Sequence, residues 1–163
     1  MYDATPVLEY LDRKGILYTV DRHPKTATAQ ETAEVEHVSG KHFAKTVVLR
    51  SDHEILLAVV PAHLRVGLAK LARVHGRGPL RLASEEDFVD TFPNCEVGAM
   101  PPFGKLYSQP SSPTDEPLTV YIDDDIATAP RVTFNAGSHE HTLTVAGQDF
   151  LKAAEGIVAD ISE

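Results

Sequence analysis

The stretch "FAKTVVLRSDHEILLAVVP", residues 43–61, decides the fold. Two runs rich in Val, Leu and Ile, residues 43–50 and 54–61, flank the short polar segment Ser51-Asp52-His53. Runs of β-branched and aliphatic residues on either side of a short polar connection are typical of a β-hairpin. The sequence therefore predicts two antiparallel strands near the middle of the chain.

Helices are predicted on both sides of this hairpin. "TPVLEYLDRKG", residues 5–15, has Thr5 as a cap and Pro6 at the first helical position, and Gly15 ends it. Residues 64–76 repeat leucine at helical spacing and stop at Gly76. Three more helices are predicted, from a capping box at Thr28 and Glu31, from Ser84 as the cap of residues 84–92, and from residues 147–157.

Strand-like segments dominate the second half of the chain. The strand candidates there are residues 105–108, 118–123, 131–135 and 141–146. Residues 16–23, in the first half, are a further candidate. "SQPSSPTDEP", residues 108–117, is interpreted as a surface loop. We expect one domain over residues 1–163, of the mixed α/β class, with a mixed and largely antiparallel sheet flanked by helices.

The composition is that of an ordinary globular protein, with 42% apolar and 24% charged residues in a chain of 163. No window approaches 18 consecutive apolar residues, and the first ten residues lack the layout of a signal peptide. Cys95 is the only cysteine, so an intrachain disulfide and a cysteine zinc site are excluded. We expect a cytoplasmic protein with no membrane partner.

The charge is unevenly distributed. The chain has a net charge of −9, but residues 41–81 carry eight Lys and Arg against two acidic residues, a net charge of +6. The rest of the chain has a net charge of −15. The basic middle is interpreted either as solvated helix and strand surfaces or as a local face that binds phosphate.

Three features are candidates for chemistry, and Lys45 is the first. Strand alternation puts Lys45 in a row with Phe43, Val47 and Leu49, which is otherwise apolar. The lysine either reaches solvent from the end of a strand or holds its ammonium at a pocket mouth, where it suits a phosphate or a developing oxyanion.

The second feature is "GAMPPFG", residues 98–104. Two prolines fix the backbone and remove two donors, while the flanking glycines permit close approach. The segment is either a rigid turn without function or a preformed wall that exposes backbone groups of Gly98 and Ala99 to a ligand.

The third feature is "FNAGSHEH", residues 134–141. If these residues form a strand, His139 and His141 share a face with Leu143 and Val145. The two histidines could be metal ligands, pocket lining, a general base or structural residues, but no further ligand cluster completes a metal site. The chain also lacks a GxSxG elbow and any partner signature for Cys95. An enzyme built on this chain would therefore work by positioning and backbone hydrogen bonds.

Four segments, in this order and spacing, resemble the YbaK / prolyl-tRNA-synthetase-associated editing domain family: "HPKTATAQETA", "FAKTVVL", "CEVGAMPPFGKLY" and "FNAGSHEHTLTV". The resemblance implies an α/β domain on a mixed, partly closed sheet. It also implies hydrolysis of the ester that joins a wrong, small amino acid to tRNA, with no metal or cofactor and with the terminal ribose hydroxyl assisting. Free-standing members act in trans on tRNA that a synthetase has released, so the implied partner is the 3′ aminoacyl end of mischarged tRNA.

The resemblance also implies site residues. Lys45 matches the lysine thought to hold the tRNA 3′ end, Gly98 with Pro102 matches the loop that contacts the ester, and His139 matches a histidine found in part of the family. These three are the predicted catalytic residues. The predicted substrate-binding residues surround them: Thr46, Ala99, Pro101, Pro102, Phe103, Gly104, Asn135, Ala136, Gly137 and Ser138. Two other functions remain open at this stage, a non-catalytic module that binds aminoacyl-tRNA or nucleotide and a metal hydrolase through His139 and His141.

Overall fold

The computed structural model describes residues 4–22, 42–110 and 112–163. Within these residues the strands are β1 (Thr19–Arg22), β2 (Phe43–Arg50), β3 (Ile55–Pro61), β4 (Arg81–Leu82), β5 (Thr119–Asp123), β6 (Arg131–Asn135), β7 (His141–Ala146) and β8 (Ile157–Ala159). The helices are α1 (Thr5–Arg13), α2 (Leu68–His75), α3 (Glu85–Phe88), α4 (Asp124–Ala127) and α5 (Gly147–Ala154), with a 3-10 turn at Gly104–Leu106. The capping box predicted at Thr28 and Glu31 lies outside the described residues.

The predicted hairpin is confirmed. Strands β2 and β3 pair antiparallel, from Ala44 opposite Pro61 to Arg50 opposite Ile55. The hydroxyl of Ser51 accepts hydrogen bonds from the amides of His53 and Glu54, at 3.2 and 3.1 Å, and so closes the connection. Every residue of β3 is buried, which accounts for its unbroken apolar run.

The sheet is mixed, as predicted. Its order is β1-β7-β6-β2-β3-β5-β8, and β4 pairs with the far end of β2. The pairs β1–β7, β7–β6, β2–β3 and β2–β4 are antiparallel, whereas β6–β2, β3–β5 and β5–β8 are parallel. The parallel β6–β2 pairing places the start of β2 beside the end of β6, with Phe43 opposite Thr133 and Ala44 opposite Phe134.

The two faces of the sheet carry separate apolar cores. The larger core packs α1, α3, α4 and α5 against one face, around Phe103, Phe134 and Phe150. The smaller core lies under α2 and includes Leu49, Leu56 and Leu71. Alternation along β2 therefore sends Ala44 and Val48 into the larger core and Leu49 into the smaller one.

Several predicted boundaries were wrong. Helix α1 is capped by Ala4, one residue before Thr5, and α2 begins only at Leu68 because Gly67 is its N-cap. Residues 105–108 are not a strand, since the chain turns at Gly104, whose bare Cα packs against the carbonyl of Leu118. The sequence patterns also did not predict three short elements, β4, α4 and β8.

Candidate active site

Two loops that are distant in sequence meet beyond the end of β6. The amide of Glu96 donates to the carbonyl of Gly137 at 2.7 Å, and the amide of Gly137 donates to the carbonyl of Ala99 at 2.9 Å. We call residues 96–104 the Gly98 loop and residues 136–141 the β6–β7 turn. These hydrogen bonds bring together two of the segments that the sequence singled out.

Gly98 and His139 are in contact at this junction. Gly98 has a φ of +83°, in the left-handed region, and a Cβ placed on it would lie 3.5 Å from the His139 ring. The ring Nε2 lies 2.8 Å from the carbonyl oxygen of Val97. A carbonyl can only accept, so Nε2 carries a proton and donates it.

The tautomer of His139 leaves a buried acceptor in the site. With the proton on Nε2, the neutral ring has its lone pair on Nδ1, and this atom is buried without a hydrogen-bond partner. The whole side chain is only 5% exposed. Buried polar atoms are nearly always satisfied, so an unsatisfied one at a loop junction indicates a place for a ligand or water.

His139 and His141 do not form a pair on a strand. Strand β7 begins at His141, so His139 lies in the turn, where the amide of Ala136 donates to the carbonyl of His141 at 3.1 Å. The Ser138 hydroxyl accepts from the Glu140 amide at 3.0 Å within the same turn. The shared face expected from alternation is therefore wrong. No group of three or more potential metal ligands occurs in the described parts of the chain.

Lys45 and Asn135 lie side by side on adjacent strands. Ala44 pairs with Phe134, and both face the larger core, so the next residues, Lys45 and Asn135, face the opposite side of the sheet. The side chain of Asn135 is buried, and its Oδ1 has no hydrogen-bond partner. Thr46 faces the side of Ala44 and so points away from Lys45.

Two effects lower the pKa of Lys45. Burial is the larger, because it disfavours the charged ammonium, and the positive charge of Arg65 adds to it. No hydrogen bond or ion pair within residues 4–22, 42–110 and 112–163 joins Lys45 to the Gly98 loop or to any carboxylate. Its charge is therefore available to an anionic ligand.

The rest of the Gly98 loop is embedded in the protein. Ala99, Pro101 and Pro102 are buried, and the ring of Phe103 lies 5.3 Å from that of Tyr10 and 5.2 Å from that of Phe134. These residues fix the loop from behind, whereas Gly98 itself is exposed. The sequence predicted Gly98 as catalytic and Ala99, Pro101, Pro102 and Phe103 as substrate-binding, and the structure buries these four behind the exposed Gly98.

Solved structures share this fold. A candidate trans-editing enzyme for prolyl tRNA synthetase is 26% identical, with a TM-score of 0.81 over 98% of this chain and 96% of that one. Hypothetical protein APE2540 is 22% identical, with a TM-score of 0.81 over 97% and 99% of the two chains. A protein from a study of epitope backbone grafting onto scaffolds is 23% identical, also at 0.81, over 98% and 96%. The comparison with curated proteins found no match.

A family comparison gives the class of protein to which this fold belongs. The aminoacyl-tRNA editing domain model matches residues 23–153, which is most of the chain. The protein belongs to this family, as the four sequence segments predicted. Within the described residues no helix is long and apolar enough to cross a bilayer.

Proposed function

We propose that this protein hydrolyses the ester joining a wrong, small amino acid to tRNA, and that it acts in trans on tRNA released by a synthetase. The observation that carries the proposal is the junction of Gly98 and His139, where an exposed, left-handed glycine lies beneath a histidine with an unpartnered buried nitrogen. The junction offers a donor and an acceptor at one place, as ester hydrolysis by water requires.

The backbone of Gly98 supplies the donor in this proposal. Attack of water on an ester builds negative charge on the carbonyl oxygen, and fixed N–H groups stabilise that charge by a few kcal/mol each, on the order of 3. The Gly98 amide makes no hydrogen bond among the described residues. The buried residues Pro101, Pro102 and Phe103 hold the Gly98 loop in place, so its backbone stays fixed as the charge develops on the carbonyl oxygen.

Buried acceptors supply the complementary part. Nδ1 of His139 and Oδ1 of Asn135 are both buried and both without a partner. Each can accept a hydrogen bond from the attacking water or from a hydroxyl of the terminal ribose. The ammonium of Lys45, next to Asn135, holds the phosphate of the tRNA end.

A side-chain nucleophile is not part of the proposal. Burial raises the pKa of the Cys95 thiol, and the nearby Tyr107 hydroxyl, 3.5 Å from Sγ, only partly offsets this. The reactive thiolate is therefore disfavoured at neutral pH. Because the thiolate is disfavoured, the proposed nucleophile is water, assisted by the substrate's own ribose hydroxyl.

A panel of mischarged tRNAs tests the proposal. Incubation with tRNAs that carry non-cognate Ala, Ser, Cys or Thr should release at least one amino acid well above the spontaneous rate. Lys45→Ala should reduce that release at least about 100-fold without loss of the fold, as judged by circular dichroism.

Two other results would contradict the proposal. If no member of the panel is released above the spontaneous rate, the protein is not a deacylase for small amino acids. If it binds aminoacyl-tRNA tightly but never releases the amino acid, the domain is instead a non-catalytic binding module.

A further inference from the structure

More than half of the described cations in the basic middle of the chain are in ion pairs. Of its seven described cations, four contact carboxylates: Arg50 and Arg81 pair with Asp87 at 3.8 and 2.7 Å, Lys70 with Asp160 at 3.1 Å, and Arg77 with Glu54 at 3.7 Å. The other three, Lys45, Arg65 and Arg73, have no ion pair within the described residues. Among the described residues of this segment, these three are the cations left for a phosphate-binding face.

Lys45 and Arg65 open into the same cavity. It has a volume of about 480 Å³, within the range of small-ligand sites. We call it the Arg65 groove, and its walls are mainly apolar, with Val47, Leu68 and Leu82 beside the two cations. Arg73 lies one helical turn beyond Ala69, another wall residue, on the same side of α2.

The two cations repel each other. Arg65 is close enough to Lys45 for its charge to lower the lysine pKa, and no carboxylate acts on Lys45 in the opposite direction. Two unneutralised cations at one cavity favour an anion that bridges them. Glu163 also lines the groove, beside these two cations.

The neighbouring apolar wall narrows the choice of anion. A single nucleic-acid strand alternates phosphates with bases whose faces are apolar. Cations hold the phosphates, and an unstacked base can pack against aromatic or apolar side chains. In a duplex the base faces are stacked inside and cannot reach such a wall. The net charge of −15 outside residues 41–81 repels phosphates elsewhere and so directs a strand to this groove.

We propose that the Arg65 groove binds a nucleotide of the single-stranded 3′ end of tRNA, with its phosphate between Lys45 and Arg65 and its base against Leu68 and Leu82. This rests on the proposed function for the identity of the strand. It adds a subsite for the nucleotide that precedes the esterified one, and it assigns Arg65 a role in holding the substrate.

Binding of uncharged RNA tests the groove without any hydrolysis. The probe is a single-stranded RNA oligonucleotide that ends in CCA, titrated against the full chain at several salt concentrations. Arg65→Gln should weaken binding about five-fold or more at low salt. It should also make the slope of log binding constant against log salt concentration shallower by about 0.7, which is the contribution of one phosphate contact on a single strand. Arg77→Gln is the matched control, since it removes the same charge from a residue 74% exposed outside the groove.

A second pair of measurements tests the base contact. Leu82→Ser should weaken binding of the oligonucleotide about three-fold or more but leave an abasic oligonucleotide of the same length unaffected. Leu82 is 59% exposed, so the substitution spares the core.

The groove assignment is overturned if Arg65→Gln behaves like Arg77→Gln, or if Leu82→Ser weakens intact and abasic oligonucleotides equally. Different outcomes refute the groove assignment and the proposed deacylase activity. A wild-type protein that deacylates mischarged tRNA while Arg65→Gln keeps the wild-type RNA affinity refutes only the groove. A protein that binds the oligonucleotide through Arg65 but releases no amino acid refutes only the deacylase.

Discussion

At the scale of single residues, the candidate site depends on atoms whose state is set by neighbours far along the chain. His139 Nε2 is protonated because it donates to the carbonyl of Val97, 42 positions earlier. Gly98 can adopt its φ of +83° without strain because it lacks a Cβ. The sequence gives the residue type at both positions, but it gives neither the protonated nitrogen of His139 nor the backbone conformation of Gly98.

Lys45 makes a residue-scale prediction about pH and stability. Its pKa is lowered in the folded protein, so the charged ammonium costs stability at neutral pH, and that cost disappears as the pH rises through the ordinary value of 10.5. Lys45→Met should therefore raise the free energy of unfolding by about 0.5 kcal/mol at pH 7, a small value because solvent screens a half-buried charge. Urea denaturation at pH 7 and above pH 10.5 measures this gain and its loss.

The control for this prediction is Lys152→Met, at an exposed position on α5. It should change stability by less than about 0.5 kcal/mol at either pH. A loss of more than 1 kcal/mol in Lys45→Met, roughly the size of a typical destabilising substitution, would mean that the ammonium stabilises the fold, contrary to the prediction.

At the scale of elements, close contacts between backbones decide where segments begin and end. Gly104 ends the Gly98 loop and starts the 3-10 turn, and a Cβ there would collide with the carbonyl of Leu118. Gly147 starts α5 in the same way against the carbonyl of Ala129. The Gly104 contact places the end of the Gly98 loop against Leu118, which directly precedes β5, so the loop is held by a segment that comes later in the chain.

Gly104→Ala tests this element-scale role. The added methyl group meets a backbone carbonyl that cannot move aside, so we expect a loss of about 3 kcal/mol or more in the free energy of unfolding. Gly76→Ala, where φ is +69° and no atom lies within 4 Å, should cost only about 1 kcal/mol from backbone strain. Chemical denaturation of both variants distinguishes a collision from strain, and equal losses would refute the collision.

At the scale of the whole molecule, one buried carboxylate joins residues 161 and 162 to the end of β5. Asp123 is 2% exposed, and its Oδ1 accepts from the amides of Ile161 and Ser162 at 2.9 and 3.0 Å. Its Oδ2 accepts from the amide of Asp125 at 3.2 Å and so caps α4. The segment it holds pairs with residues beside the Arg65 groove, since Glu163 and Arg65 exchange backbone hydrogen bonds.

Asp123→Ala makes the corresponding prediction. Three amides lose their acceptor, and we expect a loss of about 3 kcal/mol in stability together with weaker protection of residues 157–163 in hydrogen exchange. Asp124→Ala, at an exposed neighbour, should cost less than about 1 kcal/mol. Unchanged exchange in residues 157–163 would show that the segment is held by strand pairing alone.

Local patterns predicted those parts of the fold whose cause is local. The hairpin at 43–61, α5 and the cap of α3 at Ser84 follow from alternation, helical spacing and caps within a few residues. The strand predicted at 105–108 was wrong because Gly104 turns against Leu118, a contact outside the segment. Strand β8 was missed because three residues carry too little periodicity to be recognised without their partner β5.

The sequence by itself determined the family, the mixed α/β class and the identity of the candidate side chains. Only the tertiary structure decided which of them meet: it joined Gly98 to His139 and set Lys45 beside Asn135. Among the described cations of the basic middle, it paired four with carboxylates and left Lys45, Arg65 and Arg73 without an ion pair. The physical reason is the separation along the chain of the residues that interact. Residue types and short periodicities are properties of neighbours along the chain, whereas hydrogen bonds, burial and ion pairing depend on residues that only folding brings within a few ångströms.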